Sequence, residues 1–175
     1  MFPIELIGGM LASVRTFFDV DANAEITLEV NPATDDRRRT TDDDSLRSIS
    51  SGLWSVVRGQ EYFAQLRSLG YNRLSLGVQS SHEDELHLLR RGHSFHDAVA
   101  TYRSMRAAGF DNLNIDLIYA LPDQTLDKWR TTLERVLALQ PDHISAYSLQ
   151  VEERTAMFNW VRDPKHYNPN TYMPN

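Results

Sequence analysis

The chain has no cysteine in its 175 residues. That absence excludes disulfides, thiolate zinc sites, a cysteine nucleophile and any iron–sulfur cluster ligated from within these residues. A surplus of positive charge is missing too: 18 Lys and Arg stand against 24 Asp and Glu, a formal net charge of −6. Without a basic footprint, general nucleic-acid binding is disfavoured, as is attraction to an anionic membrane. No apolar run approaches the ~20 residues of a membrane span. The opening Met1-Phe-Pro-Ile-Glu5 lacks the basic-then-apolar layout of a signal peptide. These absences lead to the expectation of a cytoplasmic protein with no nucleic-acid partner and no integral membrane segment.

What is present is an alternation. Four short β-like runs, Glu25-Ile-Thr-Leu-Glu-Val-Asn31, Asn72-Arg-Leu-Ser-Leu-Gly-Val78, Asn112-Leu-Asn-Ile-Asp-Leu-Ile118 and His143-Ile-Ser-Ala-Tyr-Ser-Leu149, are separated by helix-like segments. In those segments apolar residues recur at helical spacing, as in Phe95, Ala98, Val99, Tyr102 and Met105, or Leu126, Trp129, Leu133, Val136 and Leu137. Repeated strand–helix–strand units imply a parallel sheet. Ser94-Phe-His-Asp97 reads as a capping box, and Ala108-Gly109 as a helix end. A weak internal repeat, Leu69-Gly-Tyr-Asn-Arg-Leu-Ser-Leu76 against Ala108-Gly-Phe-Asp-Asn-Leu-Asn-Ile115, fits successive βα units.

Two stretches fall outside this pattern. Residues 33–58 are charged and Ser-rich, with little periodicity until a helix near Glu61, and read as a disordered insertion. Residues 151–175 turn to Asn, Pro and Tyr and read as an irregular tail after a domain spanning 1–150.

Strand side chains alternate between two faces, so the two sets separate by parity. Ile26, Leu28, Val30, Leu74, Leu76, Val78, Leu113, Ile115 and Leu117 form an apolar set that would meet the helices. The opposite set is Thr27, Glu29, Asn31, Ser75, Gly77, Gln79, Asn114 and Asp116, joined by Ser145 and Tyr147. A closed barrel without a lumenal ligand fills its interior with bulky aliphatic residues, and this one would not. Buried unpaired, Glu29 and Asp116 would be costly, so they call for partners or ligand groups. Ligands of such barrels sit at the carboxyl ends of the strands, where Glu29, Gln79 and Asp116 lie, so a polar small molecule is the expected occupant. The alternatives are a solvent-facing sheet or mutual hydrogen bonding with Arg91. Arg91, at a break between helical stretches, could clamp a carboxylate, whereas Arg90 reads as a helix-end cation and His93 as a structural histidine. No metal-ligand spacing, nucleophile elbow or phosphate loop is present, and no residue reads as catalytic.

At these residues the sequence resembles a known family. Ile26-Thr-Leu-Glu-Val-Asn-Pro32, Asn72-Arg-Leu-Ser-Leu-Gly-Val-Gln-Ser80, Arg91-Gly-His-Ser94, Ala107-Ala-Gly-Phe-Asp-Asn-Leu-Asn-Ile-Asp-Leu-Ile-Tyr-Ala-Leu-Pro122 and Asp142-His-Ile-Ser-Ala-Tyr-Ser-Leu149 resemble, in order, the radical S-adenosylmethionine (SAM) family of oxygen-independent coproporphyrinogen III oxidases and heme chaperones of the HemW type. Gly77-Val-Gln-Ser80 followed by Arg-x-His-Ser is closer to the HemW branch. The resemblance implies an α/β fold, a partial TIM-type (βα) barrel with about four of the usual six βα units, and the cofactors SAM and a 4Fe–4S cluster, with heme as a further ligand. It implies polar contacts to SAM from Glu29, Gln79, Arg91 and Asp116, and places Tyr147 and Gln150 near the adenosyl part.

Against that pattern the chain departs in three ways. The family's Cys-x-x-x-Cys-x-x-Cys loop and its Gly-Gly-Thr-Pro segment have no counterpart here, Ala120 stands where the family often has Gly, and the C-terminal domain is absent. Without the cysteines, reductive cleavage of SAM to a radical is not expected of these residues alone. The expected role is that of a truncated HemW-like protein of heme or porphyrin metabolism, with SAM, heme or a porphyrinogen and a heme-receiving protein as partners. The alternatives are an oxygen-independent coproporphyrinogen III oxidase, a degenerate non-catalytic barrel, or a gene model in which 33–58 is not authentic. In a eukaryote the location would be mitochondrial.

Overall fold

The structure, a computed structural model, describes residues 3–32, 48–151, 153–154 and 157–158, with 48–58 as backbone only. Its elements are α1 (Ile4–Phe17), β1 (Thr27–Val30), α2 (Ser48–Leu69), β2 (Arg73–Gln79), α3 (Glu83–Leu88), α4 (Phe95–Ala107), β3 (Leu113–Tyr119), α5 (Leu126–Leu137) and β4 (His143–Ser148). The four strands form one sheet in the order β1-β2-β3-β4, every neighbouring pair parallel. The expected alternation is therefore present, and with it the α/β class.

Local chemistry accounts for the helix boundaries. Ser94 Oγ accepts from the Asp97 amide while the Asp97 carboxylate accepts from the Ser94 amide, closing the capping box that starts α4. After α4 the chain turns through Gly109 at φ +89°, a left-handed conformation in which a side chain would be strained. Thr125 caps α5 by accepting from the Lys128 amide at 3.2 Å. Helix α2 begins at Ser48 rather than near Glu61, so the last part of the stretch expected to be irregular is helical. Residues 33–47 and almost all of the expected tail lie outside the described residues.

One face of the sheet carries the core. Val30, Leu74, Leu76, Val78, Leu113, Ile115 and Leu117 pack against Ile7 and Leu11 of α1, Phe63 and Leu66 of α2, Tyr102 and Met105 of α4 and Val136 of α5. These are the apolar-parity residues, and burying them supplies the main driving force for folding at ~25 cal/mol per Å². The other face is left to the polar set.

The residue that follows β3 is unusual: Ala120 has φ +58°. A left-handed alanine costs about 1–2 kcal/mol that glycine does not pay. Ala120→Gly is therefore expected to stabilise the chain by about 1 kcal/mol after the added unfolded-chain entropy, visible as a higher urea midpoint. An unchanged or lower midpoint would show that this turn stores no net strain.

Candidate functional site

The polar face of the sheet opens onto a cavity of about 530 Å³. From β1 come Thr27 and Glu29, from β2 Arg73, Ser75 and Gln79, from β3 Asn114 and Asp116, and from β4 Ser145, Tyr147 and Ser148, with Gln150 just beyond. The volume falls within the ~300–1,000 Å³ usual for small-molecule sites. Parallel pairing explains the convergence: Glu29 is in register with Ser75, Gly77 with Asp116, and Asp116 with Ser145.

The floor of this cavity is satisfied internally. Ser75 Oγ donates to Asp116 Oδ2 at 2.6 Å and Asn114 Nδ2 donates to Asp116 Oδ1 at 2.7 Å. Asn114 Nδ2 also reaches Ser75 Oγ at 2.6 Å, and Ser145 Oγ donates to Asn114 Oδ1 at 3.1 Å. The half-buried Asp116 carboxylate thus finds its partners in Ser75 and Asn114 rather than in Arg91. Hydrogen bonds to a charged acceptor are stronger than neutral ones, so the floor is held firmly.

The rim differs. Glu29, Gln79, Tyr147 and Gln150 line the cavity with polar tips that make no hydrogen bond among the described residues. A satisfied floor beneath unpaired carboxylate, amide and phenol groups suits a ligand that brings hydroxyl, amine or cationic groups. At the opposite, amino end of the strands, Arg73 makes longer contacts, 3.4 Å to Thr27 Oγ1 and 3.4 Å to His143 Nδ1.

Gln79 owes its position to a backbone irregularity. The β2–β3 register slips between Gly77 and Gln79, and Gln79 takes φ +69°. Gly77 makes room for this: a Cβ there would lie 2.9 Å from Gln79 Nε2 and 3.3 Å from Asn31 Oδ1. Arg91, expected to clamp a carboxylate, does not line the cavity; it is half-buried and donates from Nη1 to Asn31 Oδ1 at 3.3 Å. Of the six candidate residues, five share the cavity and Arg91 sits behind Asn31.

His93 is buried, with Nε2 3.4 Å from the Val78 carbonyl, which also accepts from the Ser80 amide at 2.9 Å. A carbonyl only accepts, so Nε2 carries the proton. Burial pushes the His93 pKa below the usual histidine value, outweighing the upward pull of the Val78 carbonyl, while Arg91 adds to the lowering. The folded state then binds fewer protons than the unfolded chain below pH ~6.5, so stability rises with pH through that window. Unfolding midpoints are expected to fall between pH 7.5 and 5.5, and His93→Gln should flatten that slope. An equal slope in the variant would assign the effect to other groups.

A parallel βα sheet with helices on one face and a polar cavity along the other defines the class as a partial βα-barrel domain. The chain belongs to the Radical SAM superfamily, whose profile matches residues 11–136. Its relatives are HemW-like: it is 32% identical over 165 residues to the heme chaperone HemW of Haemophilus influenzae, covering 94% of this chain and 37% of that protein. The mitochondrial radical S-adenosyl methionine domain-containing protein 1 of Danio rerio is 31% identical over 159 residues, or 91% of this chain and 31% of that protein. Among solved structures, HemN, the coproporphyrinogen III oxidase of Escherichia coli, superimposes with a TM-score of 0.71 at 28% identity, covering 97% of this chain and 34% of HemN. The chain spans about a third of the length of these relatives.

Of the family's two cofactors, the chain fits one. The open polar rim suits SAM, which carries a ribose diol, an ammonium and a sulfonium. The iron–sulfur cluster does not fit these residues: there is no cysteine, and among the described residues no group of three or more His, Cys, Asp or Glu could hold a metal. Sequence reasoning assigned no part to Glu85, a buried carboxylate behind the rim. Its place in Glu83-Asp84-Glu85 looks like an ordinary acidic first turn.

Proposed function

We propose that these residues form the SAM-holding part of a HemW-like protein of heme metabolism whose cluster ligands lie outside them. Glu29, Gln79 and Asp116 would hold polar groups of SAM, Tyr147 and Gln150 would border its adenosyl part, and Arg91 would turn from Asn31 toward a carboxylate. The observation that carries this reading is the unpaired polar rim above a satisfied floor, on five of the six residues that the family resemblance singles out. SAM brings a sulfonium, an ammonium and a ribose diol, groups that the carboxylate and amide oxygens of this rim can meet.

Isothermal titration of the 175-residue chain with SAM tests the binding claim. Saturable heat, competed by S-adenosylhomocysteine, is the expected result; no saturable heat would reject it. The HemW relatives support heme as cargo in the complete protein, passed to a receiving protein. A heme titration giving no shifted, saturable Soret band would remove that role. The likeness to HemN supports a second reading, oxidation of coproporphyrinogen III, which anaerobic decarboxylation by the complete protein would favour. No helix among the described residues is long and apolar enough to cross a membrane. The naming of the Danio rerio relative supports the mitochondrion in eukaryotes.

A further inference from the structure

Among the described residues, Glu85 Oε1 is the one buried side-chain polar atom without a hydrogen-bond partner, on a residue only 3% exposed. Native interiors contain few such atoms, and one that persists calls for a reason. The other oxygen supplies it. Glu85 Oε2 accepts from Ser80 Oγ and from Gln124 Nε2, the latter at 3.2 Å, and Ser80 Oγ itself accepts from the His82 amide at 3.0 Å.

Those two donors belong to different loops. Ser80 directly follows Gln79, the last residue of β2, and Gln124 lies in the loop that leaves β3 beyond Ala120. Both loops emerge at the carboxyl ends of their strands, the end at which Gln79 lines the cavity. Each begins on a residue with positive φ, +69° at Gln79 and +58° at Ala120. Strained backbone of this kind persists only where its surroundings over-determine it. The Asp84–Lys128 ion pair closes the same junction one residue away, joining α3 to α5. An apolar residue at 85 would avoid the orphaned oxygen but would remove the side chain that bonds Ser80 and Gln124 at once.

We propose that Glu85 is a positioning residue for the lumenal site: by accepting from Ser80 and Gln124 it locks the β2 exit to the β3 exit and sets where Gln79 presents its amide. Glu85 does not line the cavity and acts only through these two neighbours. The ligand in this inference rests on the SAM reading above; the lock between the loops does not.

The experiment combines SAM titration, thermal melting and amide hydrogen exchange on the full 175-residue chain. In Glu85→Ala the SAM dissociation constant is expected to rise about tenfold among folded molecules. Glu85→Gln, which keeps an acceptor for both donors, should recover most of that loss. Gln124→Ala should weaken binding less, and adding it to Glu85→Ala should cost nothing further, because the two act as one unit. Exchange should accelerate in Glu85→Ala at 79–82 and 121–124 together. Wild-type affinity in a folded Glu85→Ala with only a lowered melting point would overturn the proposal. If the wild-type chain binds no SAM, the SAM reading falls and exchange decides the lock alone. Loosening of both loops then upholds it, and loosening of one loop or neither overturns it.

Discussion

Replacing Asp116 by Ala is expected to weaken SAM binding by roughly 10- to 100-fold, the equivalent of losing one or two charge-assisted hydrogen bonds. The same change should destabilise the chain by about 1–3 kcal/mol. Both effects follow from the floor network. Asp116 is the acceptor for Ser75 Oγ and Asn114 Nδ2, on residues only 6% and 2% exposed, so truncation strands two buried donors. Asp116→Asn preserves the shape and one acceptor oxygen and should lie between wild type and Ala. Titration calorimetry and urea unfolding read the two quantities separately. A lowered midpoint with unchanged affinity would reduce Asp116 to a structural role.

Gly77→Ala should separate site from stability in the opposite sense. No strained φ obliges a glycine at this position, so the backbone tolerates alanine. The new Cβ would stand 2.9 Å from Gln79 Nε2 and 3.3 Å from Asn31 Oδ1, and the end of the flexible Gln79 side chain is what yields. The expected result is a small change in melting temperature with about a tenfold weaker SAM affinity. Asn31 is also the residue that holds Arg91, so the displacement reaches both Gln79 on the rim and the Asn31–Arg91 hydrogen bond beside it. Wild-type affinity in this variant would show that the Gln79 amide is not a ligand contact.

The strands and their faces were legible because a parallel sheet gives parity a simple meaning. Leu74, Leu76 and Leu113 had to face helices, and Ser75, Asn114 and Asp116 had to share the other side. The α4 capping box was legible for a similar reason, since Ser94 and Asp97 interact within one turn. Helix α2 was less so: its N-terminal part lacks apolar periodicity, and the helix was expected only from about Glu61.

By itself the sequence determined the class of fold, the family and which residue types meet at the strand ends, because those depend on local periodicity and on residues close in the chain. It also determined that these residues cannot ligate an iron–sulfur cluster, since no arrangement in space replaces a missing thiolate. Tertiary structure alone decided which polar groups are already hydrogen-bonded within the fold. Asp116 is tied to Ser75 and Asn114, Arg91 is docked on Asn31, and Glu85 lies buried, bonded to Gln124 39 residues further along the chain. The physical reason is that burial and hydrogen-bond satisfaction are set by neighbours across the fold, which no local pattern encodes.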